Sequence, residues 1–124
     1  MILGMDHFTA IAEDRDATLA FYVDLLGLSV GHRPDLGFDG AWLYAGDKAV
    51  VHLYFDRPVP QPAAGVIDHM AFTTINLKEM KLRFDAQGYP YKLQHREGGP
   101  WQLFCFDPSG AKVELNFAAS ESLE

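Results

Sequence analysis

The chain has 124 residues, 48% of them hydrophobic, which is enough for one compact domain with a core and too many for a disordered chain. Seventeen acidic residues against ten basic ones give a net charge of −7, which disfavours binding to nucleic acid or to an anionic membrane surface. The sequence has no apolar run of transmembrane length, no signal-peptide pattern and one cysteine, Cys105, so we expect a soluble cytoplasmic protein without intrachain disulfides.

The first half of the chain has the pattern of one strand, one helix and three further strands. Residues 6–12 alternate in polarity, as a short strand does. A helix should begin near residue 14, with Asp14 or Asp16 as its N-terminal cap, and end at Gly27. Its apolar stripe, at i, i+3, i+4, i+7 spacing, consists of Leu19, Tyr22, Val23 and Leu26. Further strands are predicted at residues 28–33, 41–45 and 49–55, with a hairpin turn at 46–48.

The same order of elements returns after a proline-rich linker at residues 57–65. A strand at 66–73 precedes a helix that Asn76 and Glu79 should cap as a capping box and that Gly88 should end. The remaining strands are predicted at residues 91–95, 101–106 and 112–117. We therefore predict an α+β fold of two tandem βαβββ modules in one domain of residues 1–124. The parts are module 1 at about 1–56, module 2 at about 66–118 and a polar tail at 119–124.

A sequence repeat relates the two modules by a shift of 62 positions. The segment AVVHLYF at 49–55 falls on AKVELNF at 111–117, and the Asp-His dipeptide at 6–7 falls on Asp-His at 68–69. His7 thus corresponds to His69 and His52 to Glu114, and each module separates its two candidates by 45 residues. The residues beside them are the apolar ones that should face the helices. All four side chains should therefore project from the opposite sheet face.

Three imidazoles and one carboxylate form a donor set that suits a divalent transition metal. Imidazole suits zinc, iron, nickel and copper, and a carboxylate adds affinity for harder ions such as manganese. Four such ligands can close a tetrahedral site or leave positions open on an octahedral ion. Single strand histidines are usually surface or core residues, and we interpret His32 and His95 in that way. Chance is a poor explanation for the four candidate ligands, because their two pairs have the same 45-residue spacing within a sequence repeat.

Four segments carry a family resemblance that covers essentially the whole chain. They are DHFTAIAEDRDATLAFYVDLLGL at 6–28, AVVHLYF at 49–55, IDHMAF at 67–72 and QLFCFDPSGAKVELNF at 102–117. Together they resemble the vicinal oxygen chelate superfamily, which includes glyoxalase I, extradiol dioxygenases, fosfomycin-resistance thiol transferases and bleomycin-binding proteins. The resemblance implies a cupped, glyoxalase-like sheet with one central divalent metal ion, either iron, manganese, nickel or zinc. The implied ligands are His7, His52, His69 and Glu114.

The resemblance also implies how the site is assembled and used. In small two-module members two chains commonly complete the cup, so His7 and His52 of one chain would face His69 and Glu114 of its partner in a homodimer. The ion would bind neighbouring oxygens of a small-molecule substrate and act as a Lewis acid.

Several reactions of the superfamily fit these ligands. Glu114 matches the ligand and base of glyoxalase I, which implies a lyase or isomerase with glutathione as a candidate co-substrate, although His52 stands where glyoxalase I typically has glutamate. His7, His69 and Glu114 also match the two-histidine, one-carboxylate triad of extradiol dioxygenases, which would use iron or manganese. Fosfomycin thiol transferases share that triad, but no basic residue follows Glu114 to bind a phosphonate. A non-catalytic binding or resistance protein is a further alternative, and the full ligand set argues against it.

Five other residues are candidates for contacting the substrate. Trp101 and Gln102 open a strand that should face the cup, and one of the two should line the pocket. Arg33, Trp42 and Tyr54 are alternatives in module 1, where each could equally serve sheet packing or solubility. Cys105, between two phenylalanines, is predicted to be a small core residue.

Overall fold

The computed structural model describes residues 1–124 and contains two compact units, Met1–Gln61 and Pro62–Glu124. Each unit holds one four-stranded mixed sheet and one helical segment, in the order strand, helix, three strands. This arrangement confirms the predicted α+β fold of two βαβββ modules. The boundary between the units lies within the predicted linker at residues 57–65. No helix has the length and apolar character needed to cross a membrane.

Unit 1 is built around the parallel pairing of its first and last strands. Its elements are β1 (Phe8–Ile11), α1 (Arg15–Leu19) with a π-helical continuation (Ala20–Leu25), β2 (Ser29–Gly31), β3 (Gly40–Ala45) and β4 (Lys48–Tyr54). The strand order is β1-β4-β3-β2, and β1 is parallel to β4. This pairing brings Thr9 opposite His52, so the residue just before β1 can reach the centre of β4.

Unit 2 repeats this topology. Its elements are β5 (Met70–Thr73), α2 (Leu77–Gln87), β6 (Lys92–His95), β7 (Trp101–Phe106) and β8 (Lys112–Phe117). The strand order is β5-β8-β7-β6, with β5 parallel to β8 and Ala71 opposite Glu114. The first strand is shorter than predicted, because Val66 and Ile67 lie exposed and outside the ladder.

Alternation along the strands separates a core face from an open face in each unit. Val51 and Leu53 of β4 are buried, as are Val113 and Leu115 of β8. The residues between them must project from the other face, because successive strand side chains point in opposite directions. The hydrophobic pattern therefore places His52 and Glu114 on the open faces of their sheets.

The helical segment of unit 1 differs from its prediction in phase. Its fully buried residues are Thr18, Phe21, Tyr22 and Leu25, whereas Leu19, Val23 and Leu26 of the predicted stripe are only partly buried. The buried residues keep the predicted i, i+3, i+4, i+7 spacing but begin one position earlier, at Thr18, and the segment is π-helical from Ala20 to Leu25. Asp14 caps the segment as predicted and accepts from the Ala17 backbone N–H at 3.0 Å.

The predicted capping box of α2 is wrong. Asn76 has a left-handed backbone and makes no capping hydrogen bond with its side chain. Instead, Glu121 in the polar tail accepts from the Leu77 backbone N–H at 2.7 Å, and its carbonyl oxygen accepts from Trp101 Nε1 at 2.9 Å. A distant carboxylate satisfies the free N–H group and complements the positive end of the helix dipole. The tail is therefore part of the fold of unit 2.

We expect Glu121→Ala to lower the free energy of unfolding by about 1 kcal/mol, the usual cost of losing a helix cap. Urea unfolding of the two proteins measures this difference. Glu124→Ala is the matched control, because Glu124 is in the same tail and its side chain forms no ion pair or hydrogen bond. Equal stability of Glu121→Ala and the unmodified protein would contradict the capping role.

Candidate metal centre

In unit 1 the structure brings His7 and His52 together. Their rings stack with centroids 3.6 Å apart and an angle of 11° between planes. The parallel register of β1 and β4 causes this approach, because His7 directly precedes β1. Trp42, opposite His52 on β3, also stacks on the His52 ring at 4.1 Å. Two imidazoles thus stand side by side on the open face, with an indole beside them.

The packing around His52 favours its neutral form. Partial burial lowers the pKa of the His52 imidazole, and the neighbouring charge of His7 lowers it further. Only a neutral imidazole has a free nitrogen lone pair for a metal ion. The surroundings of His52 therefore favour the neutral form that a metal ligand requires.

In unit 2 the structure brings His69 and Glu114 together. Nε2 of His69 lies 3.3 Å from Oε1 of Glu114, and the other carboxylate oxygen accepts from Asn116 Nδ2 at 2.5 Å. Glu114 is only 6% exposed and forms no ion pair with lysine or arginine. A buried carboxylate is costly without a compensating charge. A divalent cation next to the His69 nitrogen would supply that charge, so the pair fits a metal ion.

An aspartate orients the first histidine in each unit. Asp6 Oδ1 lies 2.7 Å from His7 Nδ1, and Asp68 Oδ2 lies 2.7 Å from His69 Nδ1. Hydrogen bonding to these imidazoles lowers the pKa of both aspartate carboxyls. Holding the proton on Nδ1 leaves Nε2 free, as in carboxylate–histidine–metal arrangements. Sequence reasoning used the repeated Asp-His dipeptide only for alignment and missed this role.

The four predicted ligands therefore form one pair in each unit, which we call the His7–His52 pair and the His69–Glu114 pair. No group of three or more histidine, cysteine, aspartate or glutamate side chains within the chain is arranged to hold a metal ion. Each pair supplies two donors, which is half of a typical transition-metal ligand set.

The predicted substrate contacts fall into three groups. Trp42 lies against the His7–His52 pair, and Tyr54 projects from the same strand face, where Arg57 covers its ring at 4.0 Å. Gln102 is opposite Asn116 on the open face of unit 2 and accepts a hydrogen bond from Gln94. Arg33 donates to the Phe38 carbonyl, and Trp101 stacks on His95 and binds the tail, so both make structural contacts.

Cys105 lies in the core, as predicted. It is 2% exposed, and burial raises the pKa of its thiol to about 12. A buried thiol with a raised pKa is protonated at neutral pH, which is typical of a structural cysteine and disfavours a role as nucleophile.

Comparison with known proteins agrees with the fold. A glutathione transferase named FosA from Serratia marcescens is 28% identical over 119 residues, covering 94% of this chain and 82% of the relative. Among solved structures, a lactoylglutathione lyase from Agrobacterium tumefaciens has a TM-score of 0.65 and 23% identity, with 94% of each chain covered.

A third similar protein was crystallised with a metal ion. It is a variant of the fosfomycin resistance protein FosX from Listeria monocytogenes, complexed with Mn(II) and a dihydroxypropylphosphonic acid. Its TM-score is 0.76 at 18% identity, with 97% of this chain and 95% of that chain covered. At these identities the two solved structures show the fold alone. The family model described as "Glyoxalase/Bleomycin resistance protein/Dioxygenase superfamily" matches residues 4–115, and the chain therefore belongs to that superfamily.

Proposed function

We propose that this protein is a divalent-metal-dependent enzyme that acts on a small oxygenated substrate as a lyase or isomerase. The observation that carries the proposal is the His69–Glu114 pair, in which a buried carboxylate faces an imidazole nitrogen without a compensating cation. The superfamily membership and the metal-bound FosX structure support it.

His7, His52, His69 and Glu114 are the residues that would hold the metal ion. When bound, the ion would act as a Lewis acid that polarises oxygen atoms of the substrate. Asp6 and Asp68 hold the protons on Nδ1 of His7 and His69. Nε2 of each imidazole is then free to bind the ion. The donor set of three imidazoles and one carboxylate accommodates iron, manganese, nickel or zinc.

Glu114 is the residue we assign to proton transfer. Asn116 holds one carboxylate oxygen, which fixes the rotamer and the direction of the remaining lone pairs. Burial next to an open sheet face lets the carboxylate take a proton from a bound substrate and return it at a neighbouring atom. A thiol co-substrate such as glutathione is consistent with the name of the FosA relative.

We further propose that two chains form a homodimer in which the His7–His52 pair of one chain and the His69–Glu114 pair of the other bind one ion. Each pair lies beside an outer strand of its sheet, because His7 and His69 precede β1 and β5 while their partners lie on the adjoining strands β4 and β8. Several large apolar residues precede these edges and are exposed, namely Ile2, Leu3, Met5, Val66 and Ile67. Open edges flanked by apolar residues are typical of surfaces that another chain covers.

A complementation experiment tests the two-chain site. One variant carries His7→Ala with His52→Ala, and the other carries His69→Ala with Glu114→Gln. Each alone should bind no metal, whereas a mixed dimer purified after co-expression with two different tags should bind one ion per dimer. This is expected because one of its two sites would combine the intact pairs. Mixed dimers without metal would contradict a shared site. The control is His32→Ala, because His32 is exposed and lies outside both pairs.

An extradiol-type dioxygenase is the second candidate, because His7, His69 and Glu114 are a two-histidine, one-carboxylate donor set. Iron-loaded protein would then consume oxygen with a catechol, and exclusion of oxygen would stop turnover. A lyase or isomerase would be unaffected by removing oxygen.

A further inference from the structure

Unit 2 contains a cavity beside the His69–Glu114 pair. Its volume is about 480 Å³, within the usual range for small-molecule sites. Residues of the last three strands line it, among them Lys92, Gln94, Phe104, Phe106 and Lys112. Phe104 connects it to the candidate metal centre, because this residue is opposite Glu114 on β8 and its ring meets His69 edge-on at 5.9 Å.

The floor of the cavity is apolar and open. Phe106 is 57% exposed, which is unusual for a phenylalanine on a regular strand. Phe104 lies on the same face, two residues away along β7. Two accessible phenyl rings offer the flat apolar contact that a hydrocarbon or aryl group requires.

The charged groups that line the cavity are both cationic. Lys92 is opposite Phe104, and Lys112 is opposite Phe106 with its Nζ 5.2 Å from the Phe104 ring centroid. Lys112 also lies 3.7 Å from Asp68, whereas Lys92 forms no ion pair. In a chain of net charge −7, a cavity lined by two lysines and by no acidic residue is a local site for an anion.

We propose that this cavity binds the anionic end of a small organic acid with an apolar body, and that the oxygenated end of the same molecule reaches His69 and Glu114. This inference rests on the proposed function, since it names the substrate class of that site. The row Lys92–Phe104–Glu114 crosses two strand spacings, so the anionic group and the oxygens are separated by roughly 10 Å. That span corresponds to an aryl or short alkyl group between the two ends.

The test compares an acid with its neutral isostere on metal-free protein. Calorimetry measures the affinity for 4-phenylbutyrate, for 4-phenylbutyramide and for 4-phenylbutylphosphonate. Each anion should bind roughly tenfold more tightly than the amide, the size of effect expected for hydrogen bonds to charged groups. A preference between the two anions shows whether the natural group is a carboxylate or a phosphonate.

Lysine variants then locate the binding. Lys92→Met and Lys112→Met should each reduce the affinity for the anions roughly tenfold and leave the amide unchanged, while Phe106→Ala should weaken all three ligands. Lys78→Met, an exposed lysine on α2, is the matched control. Equal binding of acid and amide, no binding at millimolar concentration, or insensitivity to both lysine variants would overturn the inference.

The same measurements separate this inference from the proposed function. Metal-free protein that binds the anions in a lysine-dependent way, yet never takes up a divalent ion, would refute the metalloenzyme and retain an anion-binding cavity. Metal uptake with no preference for the acids would refute the cavity assignment and leave the metalloenzyme standing.

Discussion

Replacing Glu114 with glutamine is expected to reduce the affinity of the protein for Mn(II) or Zn(II) by more than about 100-fold. This loss is larger than the roughly 10- to 100-fold loss that follows removal of a residue that only orients a metal ligand. The substitution keeps the volume of the side chain and an oxygen that can accept from Asn116. It removes only the negative charge that faces His69. Calorimetric titration of the metal-free protein with each ion measures this loss of affinity.

The metal-free stability of Glu114→Gln distinguishes this explanation from simple unfolding. Replacing a buried unpaired charge by a neutral isostere is neutral or stabilising for the fold. Thermal unfolding without metal should therefore occur at the same temperature or higher, while the rise in that temperature on adding metal disappears. Glu97→Gln in the exposed loop before β7 is the control. Unchanged metal affinity in Glu114→Gln would show that Glu114 is not a metal ligand.

Removing the orienting aspartates is expected to have the second-largest effect. Asp68→Ala and Asp6→Ala should each weaken metal binding by about 10- to 100-fold, because the histidines then lose the hydrogen bond that fixes tautomer and ring orientation. Asp24→Ala, an exposed aspartate in the helical segment of unit 1, is the control.

Nitrogen NMR of the imidazoles gives a readout that a purely structural role would not change. In the unmodified protein the His7 and His69 rings should hold their proton on Nδ1, and in each aspartate variant the corresponding ring should become a mixture of both tautomers. If the rings keep one tautomer and metal affinity is retained, the aspartates do not position the ligands.

Much of the fold could be predicted from sequence because its strands are short and regular. Strands β7 and β8 agree with prediction residue for residue, since alternation of buried and open positions fixes a strand directly. The repeat helped further, because the order of elements in one module predicted the order in the other.

The differences arise where a distant or non-standard contact decides the structure. The first helix continues as a π-helix from Ala20 to Leu25, which the apolar spacing of the sequence does not indicate. The cap of α2 comes from Glu121, 44 positions along the chain, where no local motif could indicate it. The candidate site shows the same limit: pattern and spacing selected the four ligands, but the stacking of Trp42 on His52 needed the sheet register.

A crystal structure of the metal-loaded protein, with data collected at the absorption edge of the ion, would show which residues bind the metal. We expect one anomalous peak per chain at about 2.0–2.2 Å from His69 Nε2 and a Glu114 oxygen, with His7 and His52 of a second chain completing the ligands. No peak at the His69–Glu114 pair, or a peak bound by other residues, would contradict it.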